Sequence, residues 1–524
     1  MKKNMKRIQY KTLAAVTLLA WSISSCSKKL EQVNPNAQTS SSYWKSSGDA
    51  LAGVNAAYAP LLLDGAYMRF TPILLDVRAD DVRSNSPWTA ISNVGKFALG
   101  TSDPSGYGWA FDEYYEGIYR ANQVLANVPS ISMEEGLKNR ILGQAYFMRG
   151  LYYFHLVNMF GSVPMPLTPP AGTKAFFLPQ TPVTELWKQV EADFKAAADV
   201  LPVNYTDITG ADKGDLGRAT KGAALAYLGK AYLFNKMYSE ASTQFKEVID
   251  LGVYGLMDNY KDNFTEAFEN NKESIFEVQF SLTAGGTDLG WQGIPSSTWG
   301  KGSARAITFA APNYGWTDVQ PSFSVFNEFK QETTKTGDVD PRLDATIFYN
   351  KPGETIYRDT FAVVYKNSSY LNDIFWRKYE NGDGNKANEF DWKSGINERL
   401  MRYSDVLLMY AECQNELNNA AECAKYIQMV RTRVNLPDRT AEFAGYSQAQ
   451  LRDQLGHERL LEFCGEGHRF DDIRRWGWLS DATKLAWLKT RDVEFAGYIP
   501  GKELYPIPQS EIDNNPGVKQ NPTY

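Results

Sequence analysis

KGAALAYLGKAYLFNKMYSEASTQFKEVIDLGVY, residues 221–254, is the stretch on which the fold turns. Its large and small residues alternate as two facing helices of a repeat of about 34 residues require. Leu228, Gly229 and Tyr232 stand on the first helix, Ala241 and Phe245 on the second. A small residue opposite a large one lets paired backbones approach closely, and pairs built this way stack on one another. A weaker register of the same pattern places Ala411 against Cys423, Ile427 and Val430 much later in the chain.

These positions match the interlocking sites of a tetratricopeptide repeat, with Val248 and Val253 where Ala and Pro are usual. Outward from this pair, helical periodicity runs from about Tyr43 to Gly252 and again from about Asn397 to Leu488. Lys138–Phe160 predicts a long helix stopped by Gly161 and Pro164, and Thr184–Val200 another between Pro182 and Pro202. From about Glu269 to Lys393 the texture changes. SIFEVQF (Ser274–Phe280) alternates like a strand, and a Gly-rich run follows that carries Trp291, Trp299 and Trp316. Loops this long are commonly functional. The expected fold is mostly α, a tetratricopeptide-like helical repeat body with a loop-rich insertion containing short β-strands. The expected parts are a signal peptide at 1–25, a tether at 26–42, an N-terminal helical part at 43–268, the insertion at 269–396, and a C-terminal helical part and tail at 397–524.

The N-terminus reads MKKNMKRIQYK and then LAAVTLLAWSI, Leu13 to Ile23. Basic charge, a short apolar run and small residues make a secretory signal, since about 20 apolar residues are needed to span a bilayer. Ser24 and Ser25 precede Cys26, an arrangement similar to a bacterial lipobox in which that thiol is acylated. Each buried methylene contributes about 0.8 kcal/mol, so two or three acyl chains anchor a soluble body durably. The following SKKLEQVNPNAQTSSS suits an extended tether. The chain has 524 residues with 55 Lys plus Arg against 61 Asp plus Glu, a formal net charge of -6. Without the basic leader it is more acidic still, which excludes the electrostatic footprint of a nucleic-acid binder. Beyond Cys26 the cysteines are Cys413, Cys423 and Cys464, with no CxxC pair and no ligand spacing to His155, His457 or His468. Buried free thiols are the main reading, with one disulfide among the three as the alternative. No metal or organic cofactor is called for, and a structural calcium is left open.

Four segments taken together resemble the SusD/RagB family of outer-membrane nutrient-binding lipoproteins. They are AYFMRGLYYFHLVNMFGSVPM (Ala145–Met165), DVDPRL (Asp338–Leu343), RYSDVLLMYAECQNEL (Arg402–Leu417) with HERLLEFCGEGHRFDDIRRWG (His457–Gly477), and LYPIPQSEIDNNPGVKQNPTY (Leu504–Tyr524). The resemblance implies a binding module and no enzyme. Such proteins sit at the cell surface on a SusC-like TonB-dependent transporter, capture oligosaccharides, or peptides in some members, and hand them over. It also implies a lipid anchor at Cys26 in the outer membrane. The chain departs from exported members in placing Ser27, Lys28 and Lys29 before its first acidic residue, Glu31, which leaves surface or periplasmic exposure open.

A glycan site asks for flat apolar faces that stack on sugar rings, with a few amides or carboxylates to read hydroxyls. Trp in polar or Gly-rich loops meets that need, so Trp88, Trp291, Trp299 and Trp316 are the ligand candidates. Trp44, Trp109, Trp187 and Trp476 lie in helical patterns and read as core. Asp76, Asp80 and Asp81 follow a predicted helix, where the resemblance tends to place ligand contacts. Asp81 is the candidate hydroxyl acceptor, against local pairing or capping. Neighbouring carboxylates point apart and form no hydrolytic dyad. The cluster Glu458, Arg459, Glu462, Glu466, Arg469, Asp471, Asp472, Arg474 and Arg475 reads as a pairing network. His155 reads as a packed helical histidine. No nucleophile elbow, zinc-protease or P-loop pattern appears in a supporting context. The rival classes are a peptide-capturing member of the same family, a surface glycoside hydrolase, and a helical scaffold that binds only protein.

Overall fold

The computed structural model describes residues 43–172, 176–282, 302–383 and 386–524. Eleven helices carry the architecture: α1 (Ser47–Tyr58), α2 (Phe70–Asp76), α3 (Tyr107–Asn127), α4 (Glu135–Phe160), α5 (Val183–Val200), α6 (Lys221–Phe234), α7 (Tyr238–Asp250), α8 (Tyr403–Glu416), α9 (Ala420–Arg433), α10 (Gln448–Phe463) and α11 (Arg469–Arg475). From α3 to α9 each packs on the next in sequence, and α7 packs on α8 although about 150 residues separate them. The insertion is therefore looped out of a continuous helical array.

Small-against-large packing sets the spacing of this array. A Cβ on Gly229 would fall 2.6 Å from the Phe245 ring, so α6 and α7 approach only because that position is glycine. The same device joins α3 to α4, where Gly117 meets Tyr152, and α4 to α5, where Gly150 meets Phe194. The helix ends follow the sequence: Thr220 caps α6 by accepting from Ala223 N, and α4 stops at Gly161, whose φ is 74°.

Both ends of the insertion are tied down by an antiparallel ribbon, β2 (Ser274–Val278) with β6 (Glu398–Arg402), directly before α8. Two further ribbons pair β1 (Val82–Ser84) with β3 (Val319–Pro321) and β4 (Ile347–Tyr349) with β5 (Ile374–Trp376). Among the described residues no helix is long and apolar enough to cross a membrane. Cys26, the leader and the tether lie outside the described residues.

A buried charge seam fastens the insertion to α10 and α11. Arg402, 1% exposed, reaches Glu273 at 2.6 Å, Glu462 at 2.9 Å and Glu466 at 2.7 Å. Arg342 pairs with Asp340 at 2.7 Å and Glu458 at 2.6 Å, while Lys378 reaches Glu466 at 2.9 Å. Arg459 joins Asp405 and Asp472, each at 2.7 Å. The nearby cations hold Glu462 and Asp405 well below the usual carboxylate range, although burial alone would raise them. The pairing network is present, but most of its partners come from distant segments and only a few from the neighbouring turns that the spacing suggested.

Cys413, Cys423 and Cys464 are free and buried. Burial pushes the Cys423 thiol up to about 12. His155 is packed as expected, its Nε2 2.8 Å from Tyr67 Oη and its ring stacked on Tyr114. Burial, with the charge of Lys230, lowers it to about 3 and keeps it neutral.

Candidate functional site

The β1–β3 ribbon ends at a group of aromatic rings. Beyond Ser84 the pairing continues, with Asn85 N donating to Asp318 O at 2.8 Å. The two chains then carry Trp88 and Trp316 to the same end of the ribbon. Trp88 lies edge-on to Phe70 at 5.4 Å and 6.1 Å from Trp109, with the Arg69 guanidinium 5.5 Å from its ring. Trp316 meets Trp392 edge-on at 5.6 Å. All four tryptophans are partly buried and pack against the core.

Backbone bonds close the group into a ring. Ala304 N donates to Met68 O at 3.0 Å, beside Arg69, and Ser303 exchanges bonds with Ser394, two residues beyond Trp392. Trp316 N donates to Ile307 O at 2.8 Å and Asp318 N to Thr308 O at 2.9 Å. The loops pay in strain, since Asn313, Thr317 and Trp392 have φ of 76°, 60° and 57°. For a β-branched Thr or a Trp such a conformation costs about 1–3 kcal/mol and gathers at functional sites. Thr317 is held there by donating its hydroxyl to Ala310 O at 2.9 Å. Gly106, with φ of 82°, lets the start of α3 close on Phe70, where a Cβ would come within 2.5 Å. That close approach brings Trp109 to the group.

Polar atoms at the rim are few. Asn85 is exposed, its Nδ2 3.4 Å from Thr317 O. Asp318 is raised by burial, tempered by the Ser86 hydroxyl and the charge of Arg69. Such an arrangement offers stacking faces and one exposed amide. Among the described residues no group of three or more His, Cys, Asp or Glu side chains is placed to hold a metal ion.

Asp81 is not part of this site, which corrects its assignment as a hydroxyl acceptor. It is 1% exposed and accepts from Gly465 N at 3.2 Å. Burial, then the charges of Asp76 and Asp80, push it up to about 7. Asp80 is equally buried, against Arg469 at 2.6 Å and Arg491 at 2.5 Å. Asp80 turns inward to meet these two cations, and Asp81 beside it turns inward to accept from the Gly465 backbone. Trp291 and Trp299 lie outside the described residues. Trp44, Trp187 and Trp476 pack against the body, but Trp109 joins the aromatic group although its helical position read as core. Trp392 was also missed. It lies in NEFDWKSG, a polar loop of the same insertion, and the criterion that picked Trp316 applied to it equally.

A helical array of this kind, carrying aromatic rings on looped-out segments, is the build of a SusD-like protein. The chain belongs to the SusD family: that family's sequence profile matches residues 272–524, and a second, described as starch-binding and associating with the outer membrane, matches 68–233. SusD-like protein P25 of Formosa agariphila is 26% identical over 97% of this chain and 98% of its own length. A SusD superfamily protein from Bacteroides vulgatus superposes with a TM-score of 0.80 at 28% identity, covering 92% of this chain and 100% of that one. A laminarin-binding SusD-like protein gives 0.73 at 26% identity, with the same coverage.

Proposed function

We propose that this chain is a lipid-anchored outer-membrane protein that captures oligosaccharides and delivers them to a SusC-like TonB-dependent transporter. The observation that carries this reading is the set of four partly buried tryptophans gathered at one end of the β1–β3 ribbon, with strained backbone at Trp392 and beside Trp316. Pyranose rings present a C–H face that stacks on such indoles, while the Asn85 amide exchanges hydrogen bonds with their hydroxyls. The laminarin-binding neighbour and the starch-binding description of the matched profile support a glycan over a peptide. Trp88 and Trp316 are the principal ligand contacts, with Trp109 and Trp392 beside them. The ligand is held without bond cleavage and released into the transporter beneath. Cys26 carries the acyl chains.

A polysaccharide binding screen on the full chain tests the reading. Trp88→Ala with Trp316→Ala is expected to abolish retention of the polysaccharide that binds, without release of reducing sugar from it by the parent protein. Glycan binding unaffected by the pair, or product released by purified protein, overturns it. Co-purification of the tagged chain with a barrel transporter from membrane extracts tests the partner, and radiolabelled palmitate incorporation lost in Cys26→Ala tests the anchor.

A further inference from the structure

The exposed face of α3 does not end at the aromatic group. Trp109, Asp112, Glu116 and Tyr119 follow one another at spacings of three and four, so they line one stripe of the helix. From Trp109 to Tyr119 the stripe rises about 15 Å. At its far end lies a groove of about 390 Å³ between α3, the proline-rich segment Pro164–Pro170, Phe176 and Glu511 near the C-terminus. Tyr119 is 48% exposed and Phe176 64%, so two aromatic faces stand open at its rim.

The groove is built in advance. Tyr115 Oη donates to Pro164 O at 2.6 Å, and Pro166 O accepts from Asn122 Nδ2 at 2.9 Å and Tyr153 Oη at 2.7 Å. These bonds pin the proline segment beside the helix and use up two of its carbonyls. Proline has no N–H, so at those positions the wall offers ring faces without backbone donors. Its charge is one-sided. Glu116 is engaged by Arg120, whereas neither Asp112 nor Glu511 is ion-paired to a described residue. The two carboxylates lie near enough that Glu511 adds to the upward push of burial on Asp112.

We infer that the aromatic group and this groove form one elongated site, joined along α3, for an extended and uncharged glycan chain. The inference rests on the glycan-binding reading of the tryptophan group and gives that reading a ligand class. Carboxylates accept hydrogen bonds from sugar hydroxyls but repel uronate and sulfate groups, so an acidic polysaccharide is disfavoured at the groove. Tyr119, Phe176 and the proline rings supply the stacking faces for the sugars beyond Trp109. A short oligosaccharide fills the tryptophan end alone.

The test measures binding of the full chain to laminarin, amylopectin, xylan and mannan, and to oligosaccharide ladders of whichever polymer binds. Alginate and heparin are the anionic counterparts. Affinity is expected to rise with length well beyond the trisaccharide. Tyr119→Ala with Phe176→Ala is expected to cost about tenfold on long chains and nothing on di- and trisaccharides, with an unchanged melting temperature. Asp112→Asn with Glu511→Gln is expected to narrow the preference for neutral over anionic chains. Long-chain affinity unmoved by the aromatic pair, or anionic polymers bound as tightly as neutral ones, overturns the inference while leaving the tryptophan site standing if Trp316→Ala still abolishes binding. Should no glycan bind the parent chain, both readings fall together.

Discussion

The charge seam and the tryptophan group lie in one molecule and solve opposite problems. In the seam every ionic side chain named above is buried and answered by a partner, so that Arg402 touches three carboxylates and Arg342 two or more. In the tryptophan group the rings are only partly buried, each packed against the core and not sealed inside it. Buried ion pairs contribute little net stability, yet breaking one is costly, which makes them suited to fixing one arrangement of distant segments. Open aromatic faces do the reverse. They add little to the fold and remain available for a ligand. The rigid region holds the insertion in place, and the open region gives that placement a use.

If the seam sets the arrangement, its loss should outweigh every other single change. Arg402→Ala removes the cation shared by Glu273, Glu462 and Glu466, leaving them to Arg433, Arg342 and Lys378 alone, and is expected to cost about 3–5 kcal/mol, read by chemical denaturation, or to prevent folding. A variant that melts like the parent would show the seam to be ornamental. Next in size is the helical array. Gly229→Leu drives a side chain into Phe245 and is expected to cost about 3 kcal/mol, whereas leucine at exposed helical Ser239 is expected to change stability by less than about 0.5 kcal/mol.

The pH dependence separates two sets of buried carboxyls. Glu462 and Asp405 are held low, so their contribution is full above the unfolded value near 4 and is lost as pH falls. Asp76, Asp81 and Glu398 are pushed up to about 7. Their contribution is intact below about 4 and is lost as pH rises through 7. Asp81→Asn keeps the acceptor for Gly465 N and removes the charge. It is expected to stabilise the chain by about 2 kcal/mol at pH 8 and to leave it unchanged at pH 4, read from urea midpoints at both values. Equal effects at both would contradict this assignment. Among changes that delete a packed side chain the smallest effect belongs to the tryptophan group: Trp392→Ala is expected to cost about 1 kcal/mol, the worth of an edge-on ring pair, while weakening glycan binding severalfold.

The same two regions show how far the sequence could be read. The helical array was legible because its signal is local: Gly229 and Phe245 sit at a fixed offset, and the stops at Gly161 and Pro164 stand beside the helix that they end. Trp88 and Trp316 stood out because their loops are polar or Gly-rich. Nothing local says that they meet, since the β1–β3 register joins segments more than 200 residues apart. Asp81 misled for the same reason. Its sequence neighbourhood looks like a surface turn, and only the distant Gly465 shows it to be interior, as Arg469 does for its neighbour Asp80. Trp109 was hidden by its helix: periodicity tells which face is apolar, but not that the first turn protrudes past Gly106 towards Trp88.

The central claim is that ligand is held at the tryptophan group. Isothermal titration of the bound polysaccharide into the parent chain and into Trp88→Ala/Trp316→Ala, with melting temperatures recorded on the same samples, tests it most directly. At least a hundredfold loss of affinity is expected, at a melting temperature within a few degrees of the parent's. Undiminished affinity in a folded double variant would contradict it.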